Sequence, residues 1–297
     1  MSDFNITLLK NTYSSTPQKN RVVKNNKPDY IPLVTAPQEN KIDVTKPMLL
    51  DNLSKQIDAM NAWMDKITGL DKVKEFNKLK ETLAFVMEQS KIEYSDADLE
   101  YWAKIIDTNS KASHLSKELL IALVQRETAF QKCIGSKTGN GPLQVTSITV
   151  QDLYSDLNGG RLVHYNNMDK SMMDEILYKE DIAGNKVKRF NNYKELYAAC
   201  AKDDDLGMKV GIMCFKMKFA EAVAKRKGVS IAEAIEGLKS GEIKLGKNEQ
   251  HFLIKRSLIN FNSVFTDEYA DVVLDSIAKI SPDSLEGDLN PIRVNNN

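Results

Sequence analysis

The chain has 297 residues, 41 of them basic and 41 acidic, so its formal net charge at neutral pH is zero. That length buries a real core in one large or two small domains, and the balanced charge excludes the global field that draws nucleic acid or an anionic membrane. Three scattered cysteines (Cys133, Cys200, Cys214) and three histidines without metal-binding spacing (His114, His164, His251) predict free thiols, no metal and no cofactor.

Residues 1 to about 45 mix Asn, Lys, Pro, Ser and Thr without a hydrophobic period, which predicts a flexible arm. Asp3 comes early and no apolar stretch follows it, so no secretory signal is expected. The longest strictly apolar run, Leu119 to Val124, is far short of a membrane span.

From Pro47 the pattern changes. Leu49, Leu53, Ile57, Met60, Met64 and Ile67 step by four and three, Gly69 closes the run, and Val73, Phe76, Leu79, Leu83 and Val86 repeat the scheme. A helical hairpin is predicted over 46–95. Its stripes require a partner, which is each other, the following domain or another protein docking on residues 47–90, with packing in cis as the default.

Ser95-Asp96-Ala97-Asp98 caps the next helix, with Leu99, Trp102, Ile105 and Ile106 on one side. Ser116 caps another, in which Leu119, Leu120, Leu123, Val124 and Glu127 share a face. Glu127 therefore falls on the core side, in or near the last turn. Burial and the negative end of the helix dipole both disfavour its carboxylate and raise its pKa, as a general acid requires. The competing reading is that Glu127 turns to solvent or pairs with Lys132 or another cation.

Gly139-Asn140-Gly141-Pro142-Leu143-Gln144-Val145 follows, two glycines bracketing a turn where backbone approaches closely, then a glutamine able to donate and accept. Between 155 and 204 the sequence reads as an insertion. Ala183-Gly184-Asn185 predicts a small β-hairpin there, and the segment either roofs the site or elaborates the structure. From Leu206 a helix carries Met208, Ile212, Phe215, Phe219 and Val223 on one face, with Gly207 and Gly211 permitting close approach; this stretch reads as core. Ser230 opens a short helix, another covers His251 to Phe265, and Tyr269 to Leu274 begins the last, before a loose tail over 282–297.

Glu127-Thr128, the Gly-Pro-Leu-Gln-Val turn with Thr149, and Ile259-Asn260-Phe261-Asn262-Ser263 followed by Tyr269-Ala270-Asp271-Val272-Val273-Leu274 resemble, in order, the motifs of the soluble lytic transglycosylase and goose-type lysozyme family. The family carries Glu-Ser, Gly-Leu-Met-Gln, Pro-x-Thr and Ala-x-Tyr-Asn-x-Gly; here Thr128 stands for Ser, Pro142-Leu143 for Leu-Met, Ser147 for the proline and Phe261 for the tyrosine whose hydroxyl lies near the acid in relatives. The resemblance implies a mainly α, lysozyme-like catalytic domain over 96–281. It also implies that Glu127 acts as a single acid and base, that Thr128, Gly141, Gln144, Phe261 and Asn262 contact substrate, and that peptidoglycan glycan strands are the partner. Action at the bacterial cell envelope or outside the cell follows from the same resemblance. Cleavage of the MurNAc-GlcNAc bond to a 1,6-anhydro product is expected, the alternatives being hydrolysis by the same fold or a glycan-binding relative without turnover. Asp152 is the one nearby second carboxylate that a two-acid mechanism would call on.

Overall fold

Apolar residues recurring three and four apart make helices along most of the chain, and the computed structural model is mainly α. It describes residues 49–155, 160–261, 266–281 and 290–292, with side chains at Ile57, Asp58, Met60 and Gly69 and from residue 71 onward. Eleven helices and one two-stranded sheet are present among the described residues. The expected arm over 1–45 and most of the tail after 282 lie outside them.

Contacts divide the chain into two units, Met1–Met60 and Asn61–Asn297. The first is described only from the start of α1 (Leu49–Gln89), where Ile57 and Met60 are 45% and 54% exposed. The helical hairpin expected over 46–95 is not formed: α1 continues through Gly69 as one helix. Glycine stops a helix where the chain turns left-handed, but within a helix it costs only about 1 kcal/mol relative to alanine, and α1 runs on past Gly69.

In the second unit α1 contributes Leu79, Leu83, Val86 and Met87 to the core, while Val73 stays exposed. This half of α1 thus belongs with the domain that follows rather than preceding it. Helix α2 (Asp96–Ser113) starts at the predicted capping box, where Ser95 and Asp98 bond each other's backbone, and buries Leu99, Trp102, Ile105 and Ile106. Helix α3 (Lys117–Thr128) starts at Ser116, whose hydroxyl accepts from the Leu119 amide, and ends at left-handed Ala129. The short helices α4 (Ser147–Tyr154), α5 (Leu162–Met168) and α6 (Lys170–Leu177) follow. The expected hairpin is present as β1 (Tyr178–Glu180) and β2 (Lys186–Lys188), antiparallel with Lys179 opposite Val187. Helix α7 (Tyr193–Cys200) completes the segment read as an insertion.

Helix α8 (Asp204–Lys227) is the hub, capped by Asp203 and Gly228 and packed on α2, α6, α7, α9 (Ile231–Ser240) and α10 (Lys247–Phe261). It buries Phe215 and Phe219 completely, each contributing roughly 1.5–3 kcal/mol of burial. It also buries a charge: Lys216, 3% exposed, pairs with Asp169 at 2.8 Å. The last helix, α11 (Asp267–Ile280), packs on α3 and α10. No helix among the described residues is long and apolar enough to cross a membrane.

Candidate active site

Helix α3 delivers Glu127 one residue before its end, the place that its apolar spacing predicts. Burial pushes the Glu127 carboxyl above its ordinary pKa, and two weaker influences, a hydrogen bond from Tyr269 and the charge of Arg126, pull it partly back. The Tyr269 hydroxyl, from α11, donates to Oε1 of Glu127. Tyr269 is itself 2% exposed, and a buried phenol requires such a partner. Arg126 lies 5.8 Å from the Tyr269 ring centre and does not pair with Glu127. Lys132, the cation offered as an alternative partner, pairs with Asp98 instead at 2.5 Å.

The chain after α3 folds into a tight loop. Asn140 and Val145 exchange backbone hydrogen bonds of 3.0 Å, and the Gly141 amide donates to the Ile134 carbonyl at 2.8 Å. Of six non-glycine residues with positive φ among the described residues, four (Ala129, Phe130, Cys133 and Gln144) lie in this loop. Left-handed backbone costs roughly 1–3 kcal/mol at each such residue and concentrates where a site must be held in shape. Gln144, at φ 47, is held twice by its side chain: Nε2 donates to the Gly141 carbonyl at 3.0 Å and Oε1 accepts from the Ser136 hydroxyl at 3.1 Å.

Glu127, Gln144 and Phe261 line one cleft of about 280 Å³ together with Thr138, Leu143, Val145, Thr146, Thr149, Cys214 and Lys218. Phe261 closes α10 and meets Phe215 edge-on with centroids 6.0 Å apart, so a ring rather than a hydroxyl faces the cleft at this position. The tyrosine hydroxyl that the resemblance placed near the acid is supplied instead by Tyr269, eight residues further along.

Two further predicted residues, Thr128 and Gly141, are not among the residues that line the cleft. Thr128 is buried beside the cleft, where its hydroxyl donates to the Val124 carbonyl at 3.1 Å and reaches the Pro142 carbonyl at 3.3 Å, tying α3 to the loop. Gly141 does not line the cleft either; a Cβ there would lie 2.8 Å from the Cys200 carbonyl and 3.0 Å from the Gly207 Cα. Its missing side chain admits α7 and α8. Gly207 and Gly211 answer from α8: a Cβ at 207 would meet Pro142 Cδ at 2.9 Å, and one at 211 would meet Leu143 Cβ at 2.5 Å. Asn262 lies outside the described residues.

Asp152 is not a second acid in this cleft. It accepts from the Tyr165 hydroxyl at 3.4 Å and lies 3.7 Å from Arg161 Nε, and Glu127 is the only carboxylate among the described lining residues. The inserted segment supports the loop from behind, since the Asn140 side chain donates to the Tyr197 carbonyl of α7 at 2.8 Å. Tyr269 and Lys218 were not singled out by the sequence. A lysine inside the apolar run of α8, four residues after Cys214, was the available signal for Lys218; Tyr269 was read as the first residue of the helix that follows the Phe261-Asn262 motif, with no role at the site.

Comparison with protein-family models, curated proteins and solved structures gave no match. What the site can do therefore follows from its own chemistry: one carboxyl group whose pKa burial raises, a phenol bonded to it, an aromatic wall, and a hydroxyl-rich rim.

Proposed function

We propose that the protein is a lytic transglycosylase that cleaves the β-1,4 bond between MurNAc and GlcNAc in peptidoglycan, with Glu127 as its single acid and base. The observation that carries this reading is that Glu127 is the sole carboxylate among the described residues lining a cleft that also holds Gln144 and Phe261. Two-acid glycosidases need a partner carboxylate on the opposite side of the sugar, and the cleft offers none among its described residues.

The steps follow from the hydrogen bonding. Tyr269 donates to Oε1, which leaves Oε2 to carry the proton whose loss burial disfavours. That proton passes to the glycosidic oxygen as the bond to C1 breaks. The carboxylate so formed keeps the Tyr269 hydrogen bond, which is stronger to a charged acceptor than to a neutral one. It then takes the proton of the muramoyl C6 hydroxyl as that oxygen bonds to C1, giving the 1,6-anhydro ring and restoring Glu127 to its acid form. No water is consumed. Gln144, fixed by Ser136 and Gly141, and the Phe261 ring orient the sugars without ionising.

The test is release of soluble muropeptides from purified sacculi by the wild type and by Glu127→Gln. Release by the wild type alone is expected; equal release by both, or none by the wild type, overturns the assignment.

A further inference from the structure

Among the described residues that line the cleft, Lys218 is the one that carries a cationic side chain. The lysine projects from α8, with its side chain 32% exposed, and is held in place by Glu221 at 3.1 Å. Glu221 does not neutralise it alone, because the other carboxylate oxygen is taken by Arg161. Arg161 and Lys218 thus share Glu221, and Asp152, 3.7 Å from Arg161, is the second carboxylate beside them. Burial and the Arg161 charge push the Lys218 ammonium below its ordinary pKa, and Cys214 and Asp152 pull it partly back.

We propose that Lys218 is a specificity-determining residue that receives a carboxylate of the substrate, so that the cleft prefers a glycan bearing free carboxylates to a neutral one. The proposal rests on the glycan-cleaving reading of the same cleft and adds what that reading leaves open, namely which substituent is selected and by which residue. Gln144, Thr146 and Thr149 contact neutral hydroxyl and amide groups equally well and cannot make this distinction. An ammonium can, because a desolvated charge left without its partner is penalised.

The experiment measures binding by the full chain carrying Glu127→Gln, which blocks turnover. The ligands are a muramic-acid-containing glycan oligomer with free lactyl carboxylates and the same oligomer after methyl esterification. The free acid is expected to bind roughly tenfold tighter than the ester, a preference that shrinks as salt is raised. Lys218→Met should remove the preference by weakening the acid alone, and Lys218→Arg should retain most of it. Discrimination that survives in Lys218→Met, or a salt-independent preference, overturns the proposal. If Lys218→Met does not fold, the arginine variant and the salt titration still decide. Equal binding of acid and ester to the lysine form overturns this inference and leaves the glycan reading intact; absence of binding by both overturns the two together.

Discussion

The hydroxyl of Tyr269 donates a hydrogen bond to Glu127 across 142 residues of chain, joining the last helix to the end of the third. The bond stabilises the ionised form of the carboxyl group, against the burial that favours the neutral one. Tyr269→Phe should therefore push the Glu127 pKa higher still. The alkaline limb of the pH profile of kcat/KM, where the acid loses its proton, should move to higher pH. The maximal rate should fall roughly ten- to a hundredfold, since a hydrogen bond to a charged group contributes about 1.5–3 kcal/mol. An unmoved alkaline limb would separate Tyr269 from the acid.

Glu127 also links stability to pH. Its folded pKa is raised, so its contribution is fully present below the unfolded pKa of about 4.3 and is lost as pH rises through the folded value. Glu127→Gln has no such proton to lose. Thermal melts should show the glutamine variant gaining on the wild type as pH rises above about 4.3, and parallel melting curves would contradict a carboxyl whose pKa folding raises.

The loop depends on glycines for space. Alanine at 211 improves helix propensity by about 1 kcal/mol, but its Cβ would fall 2.5 Å from that of Leu143, and overpacking of that kind costs typically 1–3 kcal/mol. Gly211→Ala should lower the urea midpoint. At Gly141, where φ is 73 and the obstacle is backbone, the loss should be larger. Gly69→Ala runs the other way: a Cβ there meets nothing within 4 Å, so helicity should rise and stability should gain up to about 1 kcal/mol. A loss at 69 would restore the turn that the sequence predicted.

The buried pair of Lys216 and Asp169 should behave unlike the exposed pair of Lys74 and Asp71, whose side chains are 74% and 62% exposed. Asp169→Asn leaves an ammonium that is 3% exposed without its counter-charge and should cost roughly 3–5 kcal/mol by chemical denaturation. Asp71→Asn should change stability by less than about 1 kcal/mol.

Much of this was legible in the sequence because it is local. The capping box at Ser95, the core face of α2, the position of Glu127 and the hairpin around Gly184 follow from periodicity and turn chemistry over a few residues. The closeness of Gly207 and Gly211 to another segment was also legible, but not that the segment is the 139–145 loop. What sequence reasoning missed is set by tertiary packing. Gly69 signals a turn or a helix interior equally well, and the packing of Thr128 against Pro142 and of Gly141 against Cys200 and Gly207 joins segments far apart in the chain. Tyr269 reaches Glu127 from α11 and Lys218 reaches the cleft from α8, relations that no spacing along the chain encodes.

The most direct test of the one-carboxylate mechanism is the mass of the products released from sacculi by the wild-type protein. Disaccharide-peptides ending in a 1,6-anhydro ring, one water lighter than their reducing counterparts, are the predicted result. Products with reducing ends alone would show that water, not the muramoyl C6 hydroxyl, attacks C1, and would contradict it.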